Sequence, residues 1–257
     1  MCTQAVKRIN NTWYLMKTRD PVSWMRYEDE IALFDSPADK FRKLIIQNPV
    51  PYEDGYYGGI NEAGVAFIST FVRTSDDQIS YIRKPYIRLI LDAPNAKEAV
   101  KIIQAFSPKI GGNMFVADPD ECYGIEATAK EYCVEKVETV AVKANHFNHL
   151  SDRNLNFDKD PEFEAWSKTH EKRAKKLIEG VKTLEDAEKL LSDRENCELG
   201  RAICSTPEEA KVYTYSAFVF DTKNKLVRYA QGCPGTVGFK EYSFTQPLEK
   251  SERQQID

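Results

Sequence analysis

The first twenty residues, "MCTQAVKRINNTWYLMKTRD" (1–20), read as two short strands folded back on each other. "TQAVKRI" (3–9) and "TWYLMK" (12–17) flank Asn10-Asn11, a pair suited to a tight hairpin turn. Further strand signals arrive in adjacent runs. "GVAFISTFV" (64–72) is rich in β-branched and aromatic residues and follows the turn-like "INEAG" (60–64). "NMFVAD", "CYGIEA", "EYCVEKV" and "TVAVKAN" read as a meander between residues 113 and 145, with Asp118-Pro119-Asp120 as one turn. "YTYSAFVF" (213–220) and "KLVRYAQ" (225–231) follow, separated by the turn "DTKN".

Helices fall between these runs in two blocks. Asn95 with Glu98 three residues on forms an N-terminal cap, and Ala99, Ile102, Ile103 and Phe106 give one apolar face. Asp160-Pro161 reads as cap and first helical residue of a helix reaching about Gly180. Thr183 with Asp186 opens another, with Leu184, Ala187, Leu190 and Leu191 inward. Mostly antiparallel strands with paired helices predict stacked sheets with helices on their outer faces. No repeat, low-complexity segment or Gly/Ser linker interrupts the 257 residues, so one domain over 1–257 is expected.

The 40 acidic and 36 basic residues are scattered, and the net charge is -4. A nucleic-acid partner would need clustered basic excess. No apolar run approaches the roughly 20 residues that span a bilayer, and the N-terminus lacks an apolar signal core. A cytoplasmic protein is expected. Its six cysteines (2, 122, 133, 197, 204 and 233) are too sparse for a disulfide scaffold and default to thiols in a reducing compartment.

One thiol stands out by position. Removal of Met1 would leave Cys2 with a thiol and a free α-amine on the same carbon. An unperturbed thiol titrates near ~8.5 and an α-amine near ~7.7–8, so the amine can act as base for its own side chain. The competing reading makes Cys2 a small apolar residue opening an edge strand. Acyl transfer also needs fixed neighbours and oxyanion donors. Arg19-Asp20, at the end of the second strand, can be folded back beside Cys2 by the hairpin, and Asn145 ends "TVAVKAN" with a free amide. Taken alone, each is equally a turn residue.

The ordered set of segments carries more. "MCT" at the start, "TRD" (18–20), "GGINEAGVAF" (58–67), "GGNMFVADPDECYGIEATAKEY" (111–132), "ANHF" (144–147), "RAICS" (201–205) and "FVFDTKNKLVRYAQGCPG" (218–235) cover most of the chain. Together the chain resembles the N-terminal nucleophile (Ntn) hydrolases of the acyl-coenzyme A:6-aminopenicillanic acid acyltransferase family, relatives of the choloylglycine hydrolases. The resemblance implies an α+β fold, a four-layer αββα sandwich of two stacked antiparallel sheets. It implies that Cys2 attacks the carbonyl of a linear non-peptide amide, that Asn145 helps form the oxyanion hole, and that Asp20 orients the amine or thiol. Arg19 is a further catalytic candidate. Main-chain N–H groups around Ser69 to Phe71 are candidates for a second oxyanion donor. Asn61, in the "NEAG" turn, reads first as structural and second as a substrate-binding candidate, and Arg201, at the place of a late family arginine, is a substrate-binding candidate. Two departures limit the carry-over: Ala144 replaces a Thr, and Ala202-Ile203-Cys204 replaces a Ser-Ile-Cys run.

The expected activity is therefore amide cleavage or acyl transfer through a Cys2 thioester. The expected partner is a small-molecule N-acyl amide, with no cofactor, metal, nucleic acid or membrane, and homo-oligomerisation is left open. A catalytically silent binding protein on the same sandwich is the alternative. His146 and His149 form an H-x-x-H near Cys122 and Cys133, but zinc sites usually present tighter pairs. Cys197 and Cys204 are close enough in sequence to pair, and "KTHEKRAKKLIEG" (168–180) reads as the wet face of a helix.

Overall fold

The computed structural model describes residues 2–20, 29–48, 56–72, 83–106, 112–128, 130–151, 161–197, 202–210 and 212–245. The chain opens with the hairpin of β1 (Gln4–Ile9) and β2 (Thr12–Arg19), then runs through β3 (Glu30–Phe34), β4 (Lys43–Gln47), β5 (Tyr56–Asn61) and β6 (Ala66–Thr70). Helices α1 (Arg83–Ile90) and α2 (Ala96–Phe106) follow. Next come β7 (Gly112–Ala117), β8 (Cys122–Ala127), β9 (Tyr132–Lys136) and β10 (Val140–Lys143), then α3 (Pro161–Ile178) and α4 (Leu184–Leu191). The described chain ends with β11 (Ser216–Asp221), β12 (Leu226–Gln231), the single turn α5 (Pro234–Val237) and β13 (Lys240–Ser243).

Local chemistry sets these boundaries. Asn10 and Asn11 both have positive φ, 49° and 61°, as a two-residue hairpin turn requires and as asparagine tolerates. Asn95 Oδ1 accepts the Glu98 N–H at 2.9 Å, and Thr183 caps α4 by accepting from Asp186 N. Asp160, read as the cap of α3, lies outside the described residues.

The strands form two antiparallel sheets, in the orders β10-β1-β2-β11-β12-β13 and β3-β4-β5-β6-β7-β8-β9. Three apolar seams bind the layers. Ile87, Ile90, Ala99 and Ile103 of α1 and α2 pack on Phe67, Met114 and Val116 of the seven-stranded sheet. Trp13, Leu15, Phe218 and Phe220 meet Ile60, Ile68 and Phe115 between the sheets. Met16, Ala217 and Val219 on the far face of the six-stranded sheet bury Ala174, Ile178, Leu190 and Leu191 of α3 and α4. Each fully buried large apolar side chain contributes about 1.5–3 kcal/mol against exposure. The architecture is the expected four-layer αββα sandwich.

Two details differ from the sequence reading. The meander stops at β9: Val137 N bonds Cys122 O, the chain turns, and Thr139 O accepts from Arg8 N, so β10 pairs with β1 in the other sheet. Strands β3 to β5 carry no clear signal because they are short, with charged ends or paired glycines. Gly58 has a packing reason, since a Cβ there would sit 2.9 Å from the Phe218 ring across the gap. Among the described residues no helix is long and apolar enough to cross a membrane.

Candidate active site

Antiparallel pairing brings the site together. The start of β1 lies beside the ends of both its neighbours, because Gln4 is opposite Lys17 of β2 and opposite Lys143 of β10. Cys2, two residues before Gln4, is therefore flanked by Thr18-Arg19-Asp20 on one side and Ala144-Asn145 on the other. Strand β1 is thus interior, not an edge. Cys2 N donates to Asn145 Oδ1 at 2.7 Å, a contact spanning 143 positions of sequence. Gln4 Nε2 reaches Thr70 Oγ1 across the gap at 3.5 Å, setting the end of β6 over the same spot.

Strand alternation separates the roles of Arg19 and Asp20. Arg19 follows Trp13, Leu15 and Lys17 on the face toward the other sheet. Its guanidinium pairs with Asp29 at 3.0 Å, donates to Tyr57 Oη at 2.5 Å and stacks over the Tyr57 ring at 3.6 Å. Burial works against its charge, but Asp29, Tyr57 and Cys2 together outweigh it, so its pKa is raised. Asp20 turns the other way and is buried, accepting from Thr18 Oγ1 at 3.3 Å with Thr214 also contributing. Burial pushes its carboxyl up to about 6, against the pull of the positive chain terminus. Its Oδ1 has no partner of hydrogen-bonding geometry, leaving an acceptor at the site for an amine.

Asn145 lies in irregular chain after β10, and buried side chains fix it there. Ala144 O accepts from Thr70 Oγ1 at 2.9 Å and from Asn113 Nδ2 at 2.8 Å, and the same Asn113 amide reaches His146 O at 2.7 Å. Ser167 Oγ on α3 accepts Asn145 N–H at 2.8 Å and meets His146 Nδ1 at 2.8 Å, while His146 Nε2 faces Glu171 at 3.0 Å. The fully buried Glu126 caps three successive N–H groups, those of Asn148, His149 and Leu150, and pairs with Lys143 at 2.9 Å. Burial alone would raise Glu126, but Lys143 and these N–H donors hold it at about 2. The Asn145 amide donates one hydrogen to Phe71 O at 2.5 Å, and its second remains to be used.

A family model described as acyl-coenzyme A:6-aminopenicillanic acid acyl-transferase matches residues 6–235. The chain belongs to this family. Among solved structures, the fold is similar to penicillin V acylase from Agrobacterium tumefaciens, with a TM-score of 0.55 at 14% identity, covering 96% of this chain and 87% of that one. It is also similar to the C2A mutant of conjugated bile acid hydrolase from Clostridium perfringens, with a TM-score of 0.50 at 10% identity, covering 97% and 99%. The sandwich is that of the Ntn hydrolases. No curated protein matches the chain.

The family match starts after Cys2, so the roles of the site residues rest on geometry. Four expected residues meet: Cys2, Arg19, Asp20 and Asn145. Asn61 does not join them. Its amide nitrogen donates to Leu91 O and Ala93 O, and its oxygen accepts from Ala63 N and Val65 N, so every bonding capacity holds the β5–β6 turn against the end of α1. Asn61 thus has the structural place in the turn that the sequence first suggested. Arg201 and Met1 lie outside the described residues.

Other expectations also shift. His149 turns to Glu126 at 3.2 Å and His146 to Ser167 and Glu171, so the H-x-x-H residues serve two different carboxylates. Cys204 faces Cys233, not Cys197, with 2.9 Å between sulfurs. The stretch 168–180 is not wholly wet: His170 and Glu171 are buried, at 3% and 7% exposure, and look toward the site. The spacing Ser167, Glu171, Ala174, Ile178 is an inward stripe that sequence reading could have caught.

Proposed function

We propose that this chain is an N-terminal cysteine amidohydrolase or acyltransferase acting on linear, non-peptide amides. One observation carries the reading: the Cys2 nitrogen lies 2.7 Å from Asn145 Oδ1, with Arg19 and Asp20 at the end of the neighbouring strand β2. Once Met1 is removed that nitrogen is an amine. It takes the thiol proton, and the Cys2 thiolate attacks the substrate carbonyl carbon. The oxyanion accepts the remaining hydrogen of the Asn145 amide, with main-chain N–H groups around Ser69 to Phe71 as the second donor. The ammonium, balanced by Asp20, returns its proton to the leaving amine. The Cys2 thioester is then cleaved by water or by a second amine. An N-acyl amide substrate fits the names of both neighbours, an acylase and a hydrolase of conjugated bile acids.

With Met1 attached, the Cys2 nitrogen is an amide and cannot serve as base. Intact mass should therefore show active protein lacking Met1, with one iodoacetamide adduct on Cys2 ahead of the other five thiols. Turnover on a panel of N-acyl amides should rise with pH through the amine's titration. Chains that retain Met1 and turn over as fast as trimmed ones would defeat this mechanism.

A further inference from the structure

Five of the six cysteines have no part in this chemistry, and two of them are in contact. Cys204 follows the 202–203 segment, and Cys233 ends the turn from β12 into α5. Both are buried, at 1% and 4% exposure, and both are free thiols with sulfurs 2.9 Å apart. That spacing leaves no atom between them and needs only a small approach to become a bond. Their surroundings are unequal. The hydrogen bond with Cys204, the Gly235 N–H and the Arg194 charge hold the Cys233 pKa down against burial. The hydrogen bond to Cys233, burial and the nearby Asp20 charge all push Cys204 up. One sulfur is thus suited to act as nucleophile and the other as resolving thiol.

We propose that Cys204 and Cys233 form a second reactive site, a dithiol that a small peroxide converts to a disulfide within the folded protein. The Cys233 thiolate attacks one peroxide oxygen, breaks the O–O bond and becomes a sulfenic acid, and the other oxygen leaves as hydroxide or alkoxide. Cys204 then attacks the Cys233 sulfur and expels the remaining oxygen as hydroxide. The proton from the Cys204 thiol and one released when the thiolate formed neutralise the two oxyanions. Two thiols and one peroxide become one disulfide, one water or alcohol, and a second water. The two thiols lose two electrons and the peroxide gains them.

The pair is not remote from Cys2. Ser205, next to Cys204, accepts Thr214 N–H at 3.0 Å and donates its own N–H to Thr214 Oγ1 at 3.2 Å, and Thr214 in turn bonds the Asp20 carboxylate. The site is independent of the amide reading, since it requires neither a substrate nor removal of Met1.

The test uses full-length Cys2→Ala protein, in which Cys2 cannot compete for oxidant and five thiols remain. Folded, reduced protein is treated with hydrogen peroxide, denatured and titrated with N-ethylmaleimide. Two thiols per chain should disappear, a tryptic peptide should link Cys204 to Cys233, and dithiothreitol should restore both. Adding Cys233→Ser or Cys204→Ser should abolish the linked peptide and the dithiothreitol-reversible loss. Should a serine variant fail to fold, the linked peptide from Cys2→Ala protein decides alone. Five titratable thiols after excess peroxide, or a disulfide joining Cys204 to Cys197 instead, would overturn the proposal.

Discussion

The two flanks of Cys2 are built by different means. On one side, Thr18 to Asp20 close a strand of eight residues whose backbone is paired to β1 and β11 along its length. On the other, Ala144 to Leu150 contain no regular structure, and their backbone groups are held by Thr70, Asn113, Glu126 and Ser167, drawn from four elements. A ladder distributes its support over many weak, sequence-tolerant bonds. A loop pinned by four side chains concentrates it, so the Asn145 flank should be the fragile one.

The largest effect expected from this contrast is at Glu126. Its removal in Glu126→Ala leaves three partly buried N–H groups without this acceptor and breaks the buried pair with Lys143, whose remaining carboxylate is the partly exposed Glu135 at 3.1 Å. Breaking a buried pair of this kind costs about 3–5 kcal/mol. Chemical denaturation of the variant measures it, and a loss under about 1 kcal/mol would show that the loop does not depend on its side-chain pins. Asn145→Ala should come next, with kcat falling roughly 10²–10³-fold, the usual effect of one oxyanion donor, and the fold retained. Near-normal turnover on a substrate found in the panel would remove Asn145 from the chemistry.

The same contrast explains what could be read from the sequence. The hairpin, α2, α4 and most strands follow from local patterns: paired asparagines, cap residues and alternation. Placing Arg19 and Asp20 near Cys2 needed only the hairpin. Asn145 was reached by resemblance, because no local pattern says that β10 changes sheets. Ser167, Glu171, Glu126 and Asn113 were missed because each acts over 21 to 33 positions of sequence on a loop whose shape it helps create. Asn61 is the opposite case, since its structural reading needed only the turn, whose N–H groups its side chain accepts from.

Asp20 probes the ladder-held flank through pH. Its carboxyl, at about 6 in the folded protein, titrates near ~3.9 when unfolded. The folded state therefore holds this proton more tightly. The resulting stability is full below pH ~4 and is lost as pH rises through about 6. Asp20→Asn removes this dependence. Relative to wild type, the variant should gain up to about 3 kcal/mol between pH 4 and 7 while losing activity. Glu126 and Glu171, both held at about 2, contribute in the opposite sense at lower pH, equally in both proteins. A stability difference that stays flat with pH, together with unchanged rates, would return Asp20 to an ordinary strand-end residue.

Ser167 offers the smallest effect and the finest distinction. Its oxygen must accept, because the Asn145 N–H can only donate. Burial would raise Glu171, but His146, Asn148 and Lys175 hold it at about 2, so at neutral pH it is an acceptor only. In the tautomer with its proton on Nε2, His146 donates to Glu171 and accepts the Ser167 hydroxyl hydrogen at Nδ1. The chain of bonds runs in one direction from Asn145 to Glu171. Ser167→Ala cuts it at the first link and leaves the Asn145 N–H buried without an acceptor. If that link positions the oxyanion donor, kcat should fall roughly 5–30-fold, the equivalent of 1–2 kcal/mol, with KM unchanged. Ser167→Thr, which keeps the hydroxyl, should recover most of the loss. A Ser167→Ala protein that loses stability but keeps its kcat would mean that Ser167 holds the loop without aiming Asn145.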